Sequence, residues 1–427
     1  MGNCIQKPNQ SNVGVAAADG SEQKDGGDNK GTPLTALDTS EESTAISSPA
    51  TSSLASTAAA LSFAAPSAES AATFVKRKQN YTFQDVQIVE TITPSSIEGD
   101  SFQIPLKIYR PKPKQQDYTP RAVVFFIHGG IFAQGDRHSH PSIATALASH
   151  SEINLIVVTA SFRNGKVATW KSGVCLRDLV DVCDFCRREF CDKLSSENGG
   201  SLPFGLVGSS SGGFFALTLC RLQSQLQSQA QLDQTNENSE KKTQPPSFPI
   251  PIQTLPVKIQ FCIAITPVAN PHHRASYLRS SISGSARSDQ FVTSYQQPHD
   301  PERSQFILEK QLSFWEDDET MILAGESLMR KRNLGDTNDG NENGIDEDVP
   351  TLLILGSQDK NVPFGVTKDV QSWATKTVVI GGKGHELCDD ISDVIGGYQC
   401  YLPDVERFLD FCLNRDGVES TQVAKVK

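Results

Sequence analysis

Three residues in this chain have the chemical types that transfer an acyl group: Ser210, Asp359 and His385. A serine hydroxyl is a weak nucleophile near neutral pH, so it needs a base within hydrogen-bond reach and a third group to orient that base. Ser210 is the centre of Gly208-Ser209-Ser210-Ser211-Gly212, inside the stretch Phe204 to Leu219 that reads FGLVGSSSGGFFALTL. That stretch opens as a short apolar run and continues with apolar residues at helical spacing, which predicts strand, tight turn and helix. A G-x-S-x-G at such a junction forces the central residue into a strained backbone and admits only small neighbours. The hydroxyl is then lifted above the carboxyl end of a parallel sheet. Ser211, with Ser209 and Gly213 at the small positions, offers a second register; glycine on both sides favours Ser210. Asp359 follows the apolar run Thr351 to Leu355 through Gly356-Ser357-Gln358, and His385 follows Thr377 to Ile380 through Gly381-Gly382-Lys383-Gly384. Both are expected just past a strand's carboxyl end, and the chain order Ser, Asp, His suits a triad built on such a sheet.

Taken singly, His385 reads as a loop histidine and Asp359 as a turn residue or cap. Agreement among three strand ends is more specific than any one motif. Of the other histidines, His128 opens His128-Gly129-Gly130, while His138, His140, His150, His272, His273 and His299 follow no comparable strand. Glu386, Asp389 and Asp390 lie too near His385 in sequence to replace Asp359. The tetrahedral intermediate of acyl transfer needs donors for its negative oxygen. The N–H groups of Gly129 and Gly130, just after the apolar run Ala122 to Ile127, are expected to form that oxyanion hole together with Ser211.

The elements that must position these residues are also legible. Phe83 to Ile92 and Phe102 to Tyr109 alternate as two antiparallel edge strands, closed by Arg110-Pro111. Ala122 to Ile127, Ile153 to Thr159, Leu202 to Val207 and Val257 to Ile265 are continuous apolar runs, as expected of strands covered on both faces. A helix is expected from about Gly173 to Lys193, and another from about Pro403 to Leu413. Gln223 to Pro246, rich in Gln, Ser, Asn and Lys, reads as a solvated insertion. Asp300-Pro301 is a sound helix start, and a second helix, about Glu319 to Lys331, ends in Arg330-Lys331-Arg332, which suits its dipole. This pair reads as a cap over the site, and residues 272–348 as cap plus acidic loop. Within the acidic stretch Asp336 to Asp348, Asp339, Asn341, Asn343 and Gly344 match the first half of a calcium loop, but Pro350 stands at the twelfth position and a strand follows where a helix is needed, so no metal is expected there.

The formal charge of −11 and pI near 5.3 argue against nucleic acid as a partner. No run approaches the ~20 apolar residues that cross a bilayer. The ten cysteines are scattered through apolar segments with no secretory signal before them, which points to a reduced, cytoplasmic setting. Cys183, Cys186 and Cys191 lack a matching second pair and read as buried small hydrophobes rather than metal ligands. The chain begins MGNCIQK. Gly2 is an N-myristoylation site once Met1 is removed and Cys4 a palmitoylation site, the two signals that stable anchoring needs, although Gln6 stands where Ser or Thr is usual. Residues 1–78 then read as a tether: from Pro8 to about Thr73 the composition is Ser, Ala, Thr, Asp and Gly with few aromatics. Asp19, Asp25, Asp28, Glu41 and Glu42 disfavour a plastid transit peptide. Residues 79–427 are left as one large domain.

The motifs IPLKIYRP, FFIHGGIF, GSSSGGFFA, LLILGSQDKNVP and GKGHE, between about Phe83 and Leu413, resemble the α/β-hydrolase superfamily. More narrowly they resemble hormone-sensitive-lipase-like esterases, whose HGGG precedes a GDSAGG elbow. Ile131 stands in place of the third glycine, and Ser209 and Ser211 replace the Asp and Ala beside the nucleophile. HGG followed by a bulky residue also resembles kynurenine formamidases. The resemblance implies an α/β fold with a mostly parallel central sheet flanked by helices and a cap insertion. It implies a serine hydrolase acting on a small-molecule ester or amide without metal or organic cofactor. A ligand-binding module that has lost catalysis, as the gibberellin receptors resemble, is the reading from another class; all three triad positions being filled speaks against it.

Overall fold

The computed structural model describes residues 85–112, 120–132, 134–164, 172–193, 201–235, 252, 254–282, 309, 311–329, 349–363, 367–372, 374–388 and 401–414. The chain divides into two units, Met1–Arg77 and Lys78–Lys427, and every described residue belongs to the second.

Among the described residues one sheet holds eight strands: β1 (Val86–Pro94), β2 (Gln103–Pro111), β3 (Ala122–Ile127), β4 (Leu155–Ala160), β5 (Phe204–Ser209), β6 (Phe261–Ile265), β7 (Thr351–Gly356) and β8 (Lys376–Ile380). Their spatial order is β1-β2-β4-β3-β5-β6-β7-β8. β2 runs antiparallel to both β1 and β4, and all remaining pairs are parallel. From β3 to β7 every strand residue is buried, because helices cover both faces. Alternation divides these strands between two cores. Val123, Phe125 and Ile127 face one with Phe214 and Leu217, while Val124 and Phe126 face the other with Leu402 and Phe408.

The helices are α1 (Pro141–Ser149), α2 (Ser172–Cys186), α3 (Ser211–Thr235), α4 (Pro271–Ile282), α5 (Glu319–Met329), α6 (Lys368–Gln371) and α7 (Leu402–Leu413). α1 and α7 contribute to the second core; α2, α3, α4 and α5 contribute to the first. A π-helical turn, Arg187–Cys191, continues α2. Cys183, Cys186 and Cys191 lie buried there, and burial pushes their thiols upward, that of Cys191 to about 11. They pack as the small hydrophobes that the sequence suggested.

One expectation changes. The polar stretch from Gln223 is not wholly a solvated insertion, because α3 runs on to Thr235. Gln223 is buried, its Nε2 donating to the Ile259 carbonyl at 2.9 Å and its Oε1 accepting the Ile259 N–H at 2.6 Å. A buried amide left unpaired costs about 1–3 kcal/mol, so this two-point pairing is what allows glutamine there. The region between β6 and β7 supplies α4 and α5. Asp318 caps α5 by accepting the Met321 N–H at 3.1 Å and takes the Ser172 hydroxyl of α2 at 2.6 Å. Arg221 of α3 donates to the Ser327 carbonyl at 3.3 Å, so α5 lies beside α3 and α2 in the flanking layer. The expected helix start at Asp300-Pro301, the acidic loop and the N-terminal tether fall outside the described residues.

Candidate active site

β5 ends at Ser209 and α3 begins at Ser211, leaving Ser210 as the single residue of the turn, with φ 51°. A non-glycine residue in the left-handed region is strained and is kept there only by its surroundings. Here the Ser210 N–H donates to the Ile265 carbonyl at 2.9 Å, while its own carbonyl accepts the N–H groups of Phe214 at 3.3 Å and Val268 at 3.2 Å. Gly212 must be glycine, since a Cβ there would stand 2.0 Å from the Ile127 carbonyl oxygen. β3 and the elbow helix can approach this closely only without that side chain.

β7 carries the chain to Asp359 and β8 to His385, which opens a 3-10 turn, His385–Cys388. The two loops are joined by backbone bonds, Gln358 N–H to the Lys383 carbonyl at 2.8 Å and Ser357 N–H to the Ile380 carbonyl at 3.1 Å. The result is a continuous series. His385 Nε2 lies 3.0 Å from Ser210 Oγ, and His385 Nδ1 lies 2.8 Å from Asp359 Oδ2. The other carboxylate oxygen, Oδ1, accepts the N–H groups of Asn361 and Val362, each at 2.8 Å. All three side chains belong to buried residues, so their mutual electrostatics are little screened. The histidine's contact is to the hydroxyl of Ser210, the residue that the first register names.

The loop after β3 is held from several sides. The His128 ring stacks on Phe162 with centroids 4.4 Å apart, and its Nδ1 lies 2.6 Å from the Gly129 carbonyl oxygen. Gln134 N–H donates to the Gly130 carbonyl at 2.8 Å, and Asn164 Nδ2 donates to the carbonyls of Gln134 and Gly135 at 3.0 and 3.1 Å. Ile131 and Phe132 take φ values of 60° and 63°, a strain on the order of 1–3 kcal/mol apiece. Phe132 is secured edge-on against Phe215 at 5.4 Å and Trp315 at 5.4 Å, the latter from the insertion between β6 and β7.

The expected oxyanion donors are corrected at one position. Gly129 N–H is already donated to Ser209 Oγ at 3.1 Å. The N–H groups of Gly130 and Ser211 donate to no acceptor among the described residues. Sequence reasoning treated Ser209 only as a small flanking residue and did not single out Asn164; nothing in either residue's neighbours marks its role. Gly2 and Cys4 lie outside the described residues.

No family model matches the chain, and no curated protein matches it. Solved structures do. A Pyrobaculum calidifontis esterase is 15% identical over 77% of this chain and 85% of that one, with a TM-score of 0.45. Inhibited esterase B from Lactobacillus rhamnosis is 16% identical over 79% and 92%, with a TM-score of 0.49. A Rhizomucor miehei esterase is 14% identical over 79% and 87%, with a TM-score of 0.46. These are likenesses of chain path and leave the chemistry to be argued from this molecule's own residues. Its strand order, with β2 alone reversed among β2 to β8 and a serine elbow between β5 and the helix after it, is that of the α/β-hydrolase fold.

Proposed function

We propose that the protein is a serine hydrolase that cleaves carboxylic esters through an acyl-enzyme intermediate. The reading is carried by the unbroken series from Ser210 Oγ through His385 to Asp359, at 3.0 and 2.8 Å. His385 takes the proton of Ser210 as the hydroxyl attacks the ester carbonyl. The charge that develops on the carbonyl oxygen is met by the N–H groups of Gly130 and Ser211. The intermediate collapses, the carbon–oxygen bond breaks, and His385 gives its proton to the departing alcohol. Water then repeats the sequence on the acyl-serine. Asp359 fixes the tautomer that carries hydrogen on Nδ1 and stabilises the imidazolium. The bulky Ile131 after the two glycines favours an amide or formamide as the second substrate reading.

The test is labelling with a fluorophosphonate probe, followed by a panel of short and long acyl esters and formamides. Ser210→Ala is expected to erase labelling and lower turnover by about 10³-fold or more. Labelling that survives Ser210→Ala but not Ser211→Ala removes the assignment. Turnover of formamides without esters keeps the mechanism and replaces the substrate class. We also propose that Gly2 and Cys4 are acylated and hold the protein at a membrane; the motif MGNC supports this.

A further inference from the structure

We infer that Ser209, the residue before the nucleophile, is a positioning residue that sets the direction of the oxyanion donor at Gly130; its catalytic consequence rests on the hydrolase reading above. Ser209 ends β5 and is fully buried. β3 and β5 are paired neighbours with Ile127 opposite Gly208, so the loop that leaves β3 passes directly beside Ser209. Contact is close enough that a Cβ on Gly129 would stand 3.1 Å from both the Ser209 carbonyl oxygen and Ser210 Cβ.

Two consecutive peptide planes are fixed at this place. The plane joining His128 to Gly129 is held by its N–H, which donates to Ser209 Oγ at 3.1 Å. The plane joining Gly129 to Gly130 is held by its carbonyl, which lies 2.6 Å from His128 Nδ1. In a trans peptide the N–H points opposite to the carbonyl, so the second bond aims the Gly130 N–H. The first bond sets the plane from which the second is built. Ser209 on one side of the nucleophile and the Ser211 N–H on the other therefore define the two halves of the oxyanion site. Beyond Gly130 the left-handed Ile131 and Phe132 load the loop with strain, which a free Gly129 peptide would be able to release by turning.

A hydroxyl is needed because it accepts the N–H, and alanine cannot. In Ser209→Ala the full-length protein is expected to lose about tenfold to a hundredfold in kcat on a soluble short-chain ester, with KM within about twofold, as for a weakened transition-state donor. Affinity for a trifluoromethyl ketone, whose hemiketal carries the same oxyanion, falls by the same factor as kcat/KM. The pH profile of kcat/KM stays where it is, because His385 and Asp359 are untouched. Amide hydrogen exchange of the segment 128–132 speeds up. Ser209→Thr, which keeps the hydroxyl, recovers most of the loss. Should Ser209→Ala fail to fold, Ser209→Cys keeps the volume with a weaker acceptor and is held to the same expectation. Unchanged kcat and ketone affinity in these variants, or a shifted pH profile, overturns the inference. A wild type that turns over no ester or amide sinks the hydrolase reading instead, while the exchange comparison of wild type with Ser209→Ala still decides the tether: equal rates remove it.

Discussion

Both oxygens of the Asp359 carboxylate are committed, Oδ2 to His385 and Oδ1 to the N–H groups of Asn361 and Val362. That division makes one substitution informative. In Asp359→Asn the amide oxygen is able to keep both backbone bonds, so the turn survives and the NH₂ faces His385 Nδ1. An NH₂ donates, which forces the histidine to carry its hydrogen on Nε2, the nitrogen that must accept from Ser210. We expect kcat to fall by roughly 10⁴-fold with little change in thermal midpoint, measured on the soluble ester and by calorimetry. A variant that loses stability as much as activity would show that the carboxylate serves the fold first. Ser210, Asp359 and His385 were legible in the sequence because each follows an apolar run and a glycine-bearing turn, and such runs become strands whatever their neighbours. Ser209 and the redirected Gly129 N–H were not. The direction of a backbone donor depends on which side chain a different strand brings to it, and spacing along one segment carries no record of that.

At the scale of elements, α1 was missed because Pro141–Ser149 has no acidic residue in its first turn and no basic residue in its last to mark it as a helix. It ends at His150, whose backbone N–H donates to the Ala146 carbonyl at 2.9 Å and whose Nδ1 accepts the Ile153 N–H at 3.3 Å. This joins α1 to the turn that feeds β4. Burial holds the ring's pKa below the ordinary histidine value of 6.5, because the charged form is poorly solvated there. An acceptor Nδ1 is lost once protonated, which works in the same direction. The unfolded chain therefore binds the proton first. Stability is full above about pH 6.5 and declines as pH falls toward the folded-state value. The thermal midpoint of wild type is expected to drop more steeply than that of His150→Gln between neutral and mildly acid pH, and parallel slopes would exclude His150 as the source. Gln223 teaches a related lesson in α3. A glutamine reads as solvent-facing from its type, and only the carbonyl and N–H of Ile259 across the core give it a buried place.

The sheet was recoverable from sequence because β3 to β7, buried on both faces, are apolar throughout while β1 and β2 alternate, and chain order then leaves few ways to connect them. Where the protein acts in the cell is a separate question that the unit Lys78–Lys427 does not answer. No helix among the described residues is long and apolar enough to cross a membrane. The anchor proposed at Gly2 and Cys4 does not need one. A single myristoyl chain gives marginal binding, with a constant of about 10⁴ M⁻¹, so attachment at Gly2 alone exchanges readily with the aqueous phase. Lys7 is the only basic residue among the first ten, too little charge for attraction to anionic lipid to serve as the second signal. Cys4 is then the residue that has to supply it. We expect Gly2→Ala to move the protein from the membrane fraction to the soluble one, and Cys4→Ser to leave a weak association that washing removes. Turnover of a soluble ester should match wild type in both, because Ser210, Asp359 and His385 all lie in the unit Lys78–Lys427. Mass spectrometry of the native amino terminus decides the matter. An unacylated Gly2, or wild type and both variants all found in the soluble fraction, removes the membrane from the protein's function and leaves the esterase chemistry standing by itself.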